Sequence, residues 1–164
     1  MTHLDIINSK IYTQATIIHQ LSVWRFKDRK VVFTNGCFDI LHRGHIDYLS
    51  KAADLGQVLI VGVNSDSSTR NLKGPSRPIN DEYSRAMILA SLHFTDAVIL
   101  FDEPTPYNLI KFIQPDILVK GADYKIEDIA GSDIVLAKGG QVITIELLQG
   151  FSTSSIEAKI KGSN

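Results

Sequence analysis

The chain has 164 residues, with 17 basic and 18 acidic side chains and a 44% hydrophobic share. That length suits one domain with one core, and the composition excludes a disordered chain or a fibrous repeat. A formal net charge of −1 argues against a nucleic-acid binder recruited by bulk charge, though it leaves local basic clusters open.

Other classes fall away as cheaply. The longest apolar run, residues 58–63, is far short of the roughly 20 residues a membrane span needs, so no membrane partner is expected. The opening MTHLDIINSK lacks the charged, apolar and small-residue blocks of a secretory signal. One cysteine, Cys37, has no internal disulfide partner, which fits a cytoplasmic location. With no base placed for it, Cys37 reads as a small packing residue rather than a nucleophile.

In chain order, Ile7, Ile11, Ala15 and Ile18 predict a helix ahead of the first strand. Short runs rich in Val, Ile and Leu at 31–34, 58–63, 97–101, 117–120 and 141–146 predict five strands buried on both faces. Between the first two lies a helix with Ile46, Leu49 and Ala53 on one face and Gly56 as its C-terminal cap. Asn80 or Asp81 caps the next helix, which runs to about His93 with Tyr83, Met87 and Ala90 inward. Thr105 followed by Pro106 opens another, and Pro115 lies beyond its end. Ser154 or Ser155 opens a last one. Alternating strands and helices predict an α/β fold, a doubly wound five-stranded parallel sheet with helices on both faces. A single domain over 1–164 is expected, with a helical extension at 1–30 and a core at 31–161.

Ligands of such sheets bind beyond the carboxyl ends of the strands. The segment after the first strand reads Asn35-Gly36-Cys37-Phe38-Asp39-Ile40-Leu41-His42-Arg43-Gly44-His45. It is neither a dinucleotide fingerprint nor a phosphate loop. Two histidines three apart at a helix start share one face of its first turn, and Gly44 lets a ligand approach the backbone. Free amides and the positive end of the helix dipole point the same way, giving a compact anion pocket with two imidazole donors. The alternative is that the histidines only cap the helix or pack.

The stretch Gly36 to His45 resembles the G-[TC]-F-D-x-x-H-x-G-H signature of the cytidylyltransferase-like nucleotidyltransferase superfamily. Class I aminoacyl-tRNA synthetases share His-x-Gly-His, but they are much longer and carry a Lys-Met-Ser-Lys-Ser-like loop that is missing here. Downstream, Val63-Asn64-Ser65-Asp66, Leu72-Lys73-Gly74-Pro75-Ser76-Arg77-Pro78 and Leu118-Val119-Lys120-Gly121-Ala122-Asp123-Tyr124 resemble the D-glycero-beta-D-manno-heptose 1-phosphate adenylyltransferase family. That family occurs as a separate protein or as half of a bifunctional kinase–adenylyltransferase. No sugar kinase domain precedes the match, so a separate heptose kinase acting upstream is expected.

The resemblance implies a Rossmann-like fold and attack of a sugar 1-phosphate on the α-phosphorus of ATP, releasing pyrophosphate. ATP is then a substrate, Mg²⁺ the expected cofactor held mainly by phosphates, and a homodimer the family-based expectation. His42, His45 and Lys73 are the implied catalytic residues, with Lys73 on the long loop after the second strand. Asn35, Gly36, Cys37, Phe38, Asp39 and Gly44 fall to the nucleotide, Asp39 orienting the loop or assisting a metal. Lys120, Gly121 and Asp123 fall to the base and ribose, and Ser152 and Thr153 to a second phosphate-binding helix start. Asp66, Arg77 and Arg85 are assigned to the sugar phosphate. The bland readings are surface charges for Lys73 and Arg77, a helix ion pair with Asp81 for Arg85, and a plain strand-ending turn at Lys120.

Two departures matter. Cytidylyltransferases of the superfamily carry Arg-Thr-Glu-Gly-Ile-Ser-Thr at the last motif, where this chain has Leu147-Leu148-Gln149-Gly150-Phe151-Ser152-Thr153. The missing arginine weakens a CTP-dependent reading, and Ala122 leaves base recognition open. Arg43 is expected to face solvent. The competing readings are a glycerol-3-phosphate-type cytidylyltransferase using CTP and a non-catalytic nucleotide-binding module.

Overall fold

The structure, a computed structural model, describes residues 1–162. Its elements in chain order are α1 (His3–Asn8), β1 (Ile11–Tyr12), α2 (Gln14–Phe26), β2 (Val31–Gly36), α3 (Arg43–Ala53), β3 (Val58–Asn64), α4 (Asp66–Lys73), α5 (Glu82–Ala90), β4 (Ala97–Phe101), α6 (Tyr107–Ile113), β5 (Ile117–Gly121), a 3-10 turn (Ile126–Asp128), α7 (Ser132–Ala137), β6 (Gln141–Ile145) and α8 (Thr153–Lys161). The strands form one six-stranded sheet in the order β1-β4-β3-β2-β5-β6, and each neighbouring pair is parallel. The fold is the expected Rossmann-like α/β fold, with one strand more than the five predicted.

Each strand divides its side chains between two apolar layers, as a period of two requires. On one face, Val31, Phe33, Ile60 and Ile99 pack with Ile17, Leu21 and Trp24 of α2 and Leu109, Ile110 and Ile113 of α6. On the other, Val32, Val61, Val63 and Val119 pack with Tyr48, Leu49 and Ala52 of α3 and Ala86, Leu89 and Ala90 of α5. Partly exposed carboxylates stand just before two strands. Asp96 accepts from the Leu59 amide and Asp116 from the Val31 amide, both at 2.8 Å.

Several expectations change. The single N-terminal helix is broken by β1, whose Ile11 and Tyr12 pair with Val98 and Ile99. Thr2 and Thr13 each form a capping box, so two short helices start where one was predicted. The buried stripe of α2 is Ile17, Leu21 and Trp24, while Ile18 stays exposed. Gly56 is no helix cap, because α3 ends at Ala53. A Cβ at Gly56 would lie 2.6 Å from Val32 and 2.7 Å from the Lys30 carbonyl, so glycine is needed there for close packing. Tyr83 faces outward, because α5 turns Arg85, Ala86, Leu89 and Ala90 inward. The last helix is capped by Ser152, two residues earlier than the first predicted start. No described helix is long and apolar enough to cross a membrane.

Candidate active site

The sheet opens where its strand order reverses. β2 pairs with β3 over six positions but with β5 only at Val32↔Ile117 and Phe33↔Leu118. The carboxyl ends of β2 and β5 therefore part, and a cleft of about 400 Å³ lies above them. The Lys120 ammonium spans the gap to the side-chain oxygen of Asn35.

Residues 35–39, His42, Gly44 and His45 line this cleft with Lys73, Lys120, Gly121, Asp123, Ser152 and Thr153. Thus residues from four separate stretches of chain meet in one place. Tyr124 of the turn after β5 and Phe151 and Ser154 of the last helix start complete the walls with Tyr48, Leu147 and Leu148, which sequence reasoning did not assign to the site. Tyr124 and residues 147–151 stood inside quoted motifs, so position next to a motif was the available signal.

His42 is the N-cap of α3, yet it makes no side-chain cap bond, unlike Ser65, Asp81 and Ser152 at α4, α5 and α8. The His45 amide donates to the His42 carbonyl at 2.9 Å, and the two amides before it, of Arg43 and Gly44, are left to a ligand. The His42 and His45 rings stack with centroids 3.8 Å apart and planes inclined by 22°. Both Nδ1 atoms are buried and lack a hydrogen-bond partner among the described residues. Burial pushes the His45 imidazole down from 6.5 to about 4, and the neighbouring His42 and Lys73 push the same way. Burial lowers His42 as well. Two neutral imidazoles with unused nitrogens can therefore take up hydrogen bonds, or a proton, when an anion enters.

The preceding turn holds the pair in place. Phe38 sits at a φ of 48° and sets its ring edge against His45, with centroids 5.3 Å apart. A Cβ at Gly36 would lie 3.1 Å from that ring. A Cβ at Gly44 would lie 3.1 Å from His42 and 3.2 Å from Phe151, so glycine leaves room for both. Arg43 is exposed as expected, and its guanidinium lies 5.5 Å from the Phe151 ring centroid.

Asp39 is a staple for this turn. Its carboxylate accepts from the Ile79 amide at 2.8 Å, the Asn80 amide at 2.9 Å and the Arg77 guanidinium, and its carbonyl accepts from the Asn80 side chain at 2.6 Å. Burial acts to raise its carboxyl, but the two amides and Arg77 outweigh that and hold it below the usual range. Both oxygens are engaged, which leaves Asp39 unsuited to act as a base.

The three residues assigned to the sugar phosphate stand elsewhere. Arg77 is spent on Asp39 and on Glu157, the latter at 2.7 Å. Arg85 is fully buried and donates to the carbonyls of Asn80 at 3.0 Å and Cys37 at 2.6 Å and to Asp66 at 2.9 Å. It makes no pair with Asp81, which caps α5 through the Ser84 amide instead. Asp66 is half-engaged with Arg85 and borders a second depression with Ser65, Ser67 and Arg70. None of the three lines the cleft, because each cation is already neutralised by a carboxylate inside the protein.

Lys73 closes α4 instead of riding a long loop, and from there it reaches the cleft. Burial lowers the Lys120 ammonium from 10.5 to about 8, against the opposing effects of Asp123 and Cys37. A Cβ at Gly121 would fall 2.5 Å from the Asp123 carboxylate. Ser152 accepts from the Ser155 amide at 3.1 Å, so its hydroxyl serves the α8 cap. Cys37 is partly exposed, and its carbonyl holds Arg85. No cluster of three or more His, Cys, Asp or Glu side chains able to hold a metal occurs among the described residues.

Comparison with known proteins adds to this geometry. A cytidylyltransferase-like family profile matches residues 33–160. The bifunctional protein HldE of Campylobacter jejuni subsp. doylei is 57% identical over 141 residues, covering 86% of this chain and 30% of that protein. The bifunctional protein HldE of Wolinella succinogenes is 49% identical over 162 residues, covering 99% of this chain and 33% of that protein. The chain thus spans about a third of the length of these curated relatives. Among solved structures, a lipopolysaccharide core biosynthesis protein from Thermoplasma volcanium is 33% identical, with a TM-score of 0.61 over 73% of this chain and 97% of that one.

Proposed function

As the chain belongs to the cytidylyltransferase-like nucleotidyltransferase family, we propose that it transfers AMP from ATP to D-glycero-D-manno-heptose 1-phosphate, giving ADP-heptose and pyrophosphate. The observation that carries this reading is the stacked, neutral His42–His45 pair at the uncapped start of α3, flanked by Lys73 and Lys120. Similarity to the bifunctional protein HldE supports the choice of sugar, and similarity to a lipopolysaccharide core biosynthesis protein is compatible with it.

The chemistry needs little from side chains beyond charge and position. The nucleophile is a phosphate oxygen of the sugar 1-phosphate, already ionised near neutral pH. It bonds to the α-phosphorus while the bond to the β-phosphate oxygen breaks, and pyrophosphate leaves with that electron pair. No general base and no covalent enzyme intermediate is required, which agrees with an Asp39 whose oxygens are engaged. His42, His45 and the first amides of α3 donate to the phosphates as charge moves toward the leaving group. Lys73 adds a point charge, and Lys120, held on Asn35, borders the nucleoside end.

Mg²⁺ would supply neutralisation of phosphate charge. Among the described residues no cluster of three or more His, Cys, Asp or Glu could cage it, so in this reading the ion would be carried mainly by the triphosphate oxygens. Leu147 and Leu148 stand where the arginine-containing motif of cytidylyltransferases would fall, and an apolar wall there supports ATP over CTP. The heptose phosphate would come from a kinase acting upstream.

Purified protein given MgATP and heptose 1-phosphate is expected to release pyrophosphate and form ADP-heptose. CTP in place of ATP should turn over far more slowly, and His42→Ala or His45→Ala should retain ATP binding while losing orders of magnitude in turnover. A preference for CTP, or ATP binding without turnover on any sugar 1-phosphate, would overturn the reading.

A further inference from the structure

The C-terminal helix is held to the molecule in an unusual way for an element that walls a binding cleft. None of the residues of α8 is buried, and Ile160 is exposed. Apolar burial therefore does little to hold it. Yet its N-terminal residues Ser152, Thr153 and Ser154, with Phe151 just before, face the cleft. What fixes α8 must lie elsewhere.

Arg77 supplies the tie. Its side chain is only 9% exposed and bonds two carboxylates from distant parts of the chain, Asp39 and Glu157. Asp39 is three residues before His42 and anchors the turn that sets the histidine pair. Glu157 is four residues after Thr153, one helical turn along α8. One guanidinium fork thus joins the wall carrying the histidines to the wall carrying the hydroxyls. A planar fork can hold two carboxylates at once, which a lysine point charge cannot do with the same geometry. Arg43 over Phe151 adds an exposed ring contact at the same junction.

We propose that Arg77 is a positioning residue whose bridge from Asp39 to Glu157 latches α8 over the cleft and thereby sets nucleotide affinity. The inference rests on the nucleotide-site reading above. It replaces direct contact of Arg77 with the sugar phosphate by action through two carboxylates. The latch is reversible in a way apolar packing is not, since Glu157 is 29% exposed and can trade its ion pair for water. Unlatched, α8 swings its cap away from α3; latched, it closes the cleft on the triphosphate.

Changing Arg77 itself would strand the buried Asp39 carboxylate and risk the fold, so the test acts on Glu157. In Glu157→Ala without nucleotide, hydrogen exchange of the amides at 156–161 should rise about fivefold, the scale of one partly exposed ion pair. By calorimetry the Kd for MgATP, and in turnover its KM, should rise by about the same factor. The kcat and the thermal midpoint should stay at the wild-type values. Glu157→Gln, which keeps an acceptor for Arg77, should fall between. Unchanged exchange and unchanged Kd in Glu157→Ala overturn the latch while leaving the nucleotide reading intact. A loss of thermal stability matching the loss of affinity overturns it in favour of a merely structural pair. Wild-type protein that binds no MgATP overturns the nucleotide reading and, with it, the effect on affinity, whereas the exchange result still reports on the latch.

Discussion

Gly44→Ala separates the roles of the histidine loop most cleanly. Gly44 is the second residue of α3, and its backbone does not require positive φ. Alanine there is favoured over glycine by up to about 1 kcal/mol on helix propensity alone. Against that, the new methyl would sit 3.1 Å from Cε1 and Nδ1 of His42 and 3.2 Å from the Phe151 Cβ. Relaxed carbon contacts begin near 3.5 Å, so His42 must yield by about 0.4 Å, and its neighbour His45 stacks directly on it. The two effects on stability oppose each other, and the thermal midpoint should remain within a few degrees of wild type. Catalysis has no such compensation. A 1 Å misplacement can cost about a hundredfold, so a shift of this size should lower kcat by about tenfold. Pyrophosphate release with saturating MgATP and heptose 1-phosphate, paired with thermal unfolding, measures both. A wild-type kcat would refute the argument that the His42 position matters to this tolerance. A kcat loss that follows a large drop in midpoint would refute the claim that the glycine serves the site rather than the fold.

Three further outcomes follow from the same geometry. Arg85→Met leaves the Asn80 and Cys37 carbonyls and Asp66 without their buried donor, and urea unfolding should show a loss of about 3 kcal/mol; normal stability with a raised KM for the sugar phosphate would instead make Arg85 a ligand contact. Gly121→Ala collides only with the movable tip of Asp123, so stability should hold while the KM for ATP rises, and an unchanged KM would remove Asp123 from the nucleotide pocket. His45 takes up a proton near 6.5 when unfolded but only at about 4 in the folded cleft. The unfolded chain thus binds more protons between those values, and this contribution to stability is full above pH 6.5 and is lost as pH falls toward 4. Urea midpoints measured between pH 7.5 and 5 should decline less steeply in His45→Asn, and equal slopes would show that His45 does not titrate as described.

The parts of this protein written in local sequence were legible as such. Buried strands announce themselves as Val- and Ile-rich runs, and the histidine turn is contiguous, so residues 35–45 needed no tertiary information. β1 was not legible, because two residues show no period and its pairing partner Val98 lies far along the chain. The N-terminal helix went wrong for a related reason. Ile7, Ile11, Ala15 and Ile18 satisfy a helical spacing, yet Thr13 breaks it with a capping box, and the sheet then selects Ile17, Leu21 and Trp24 as the inward stripe. Gly56 shows the same limit for a single residue: a glycine near a helix end looks like a cap until the Lys30 carbonyl packs against it.

The cations tell where long-range structure overrides residue type. From composition and motif, His42, His45, Lys73, Arg77, Arg85 and Lys120 promise a strongly cationic pocket hidden in a chain of near-zero net charge. In the fold, Arg77 and Arg85 meet Asp39, Glu157 and Asp66 before any ligand arrives. Both histidines are pushed toward their neutral forms, and burial also weakens the hold of Lys120 on its proton. The resting cleft is therefore much less positive than its residue list, and its two imidazoles keep buried Nδ1 atoms without a partner among the described residues. A permanently cationic pocket would repel its own members and hold pyrophosphate as firmly as ATP. Under the proposed reaction, charge called up by the incoming phosphates would avoid both costs, and the near-neutral resting state it starts from follows from burial, stacking and internal ion pairs that no one-dimensional motif records.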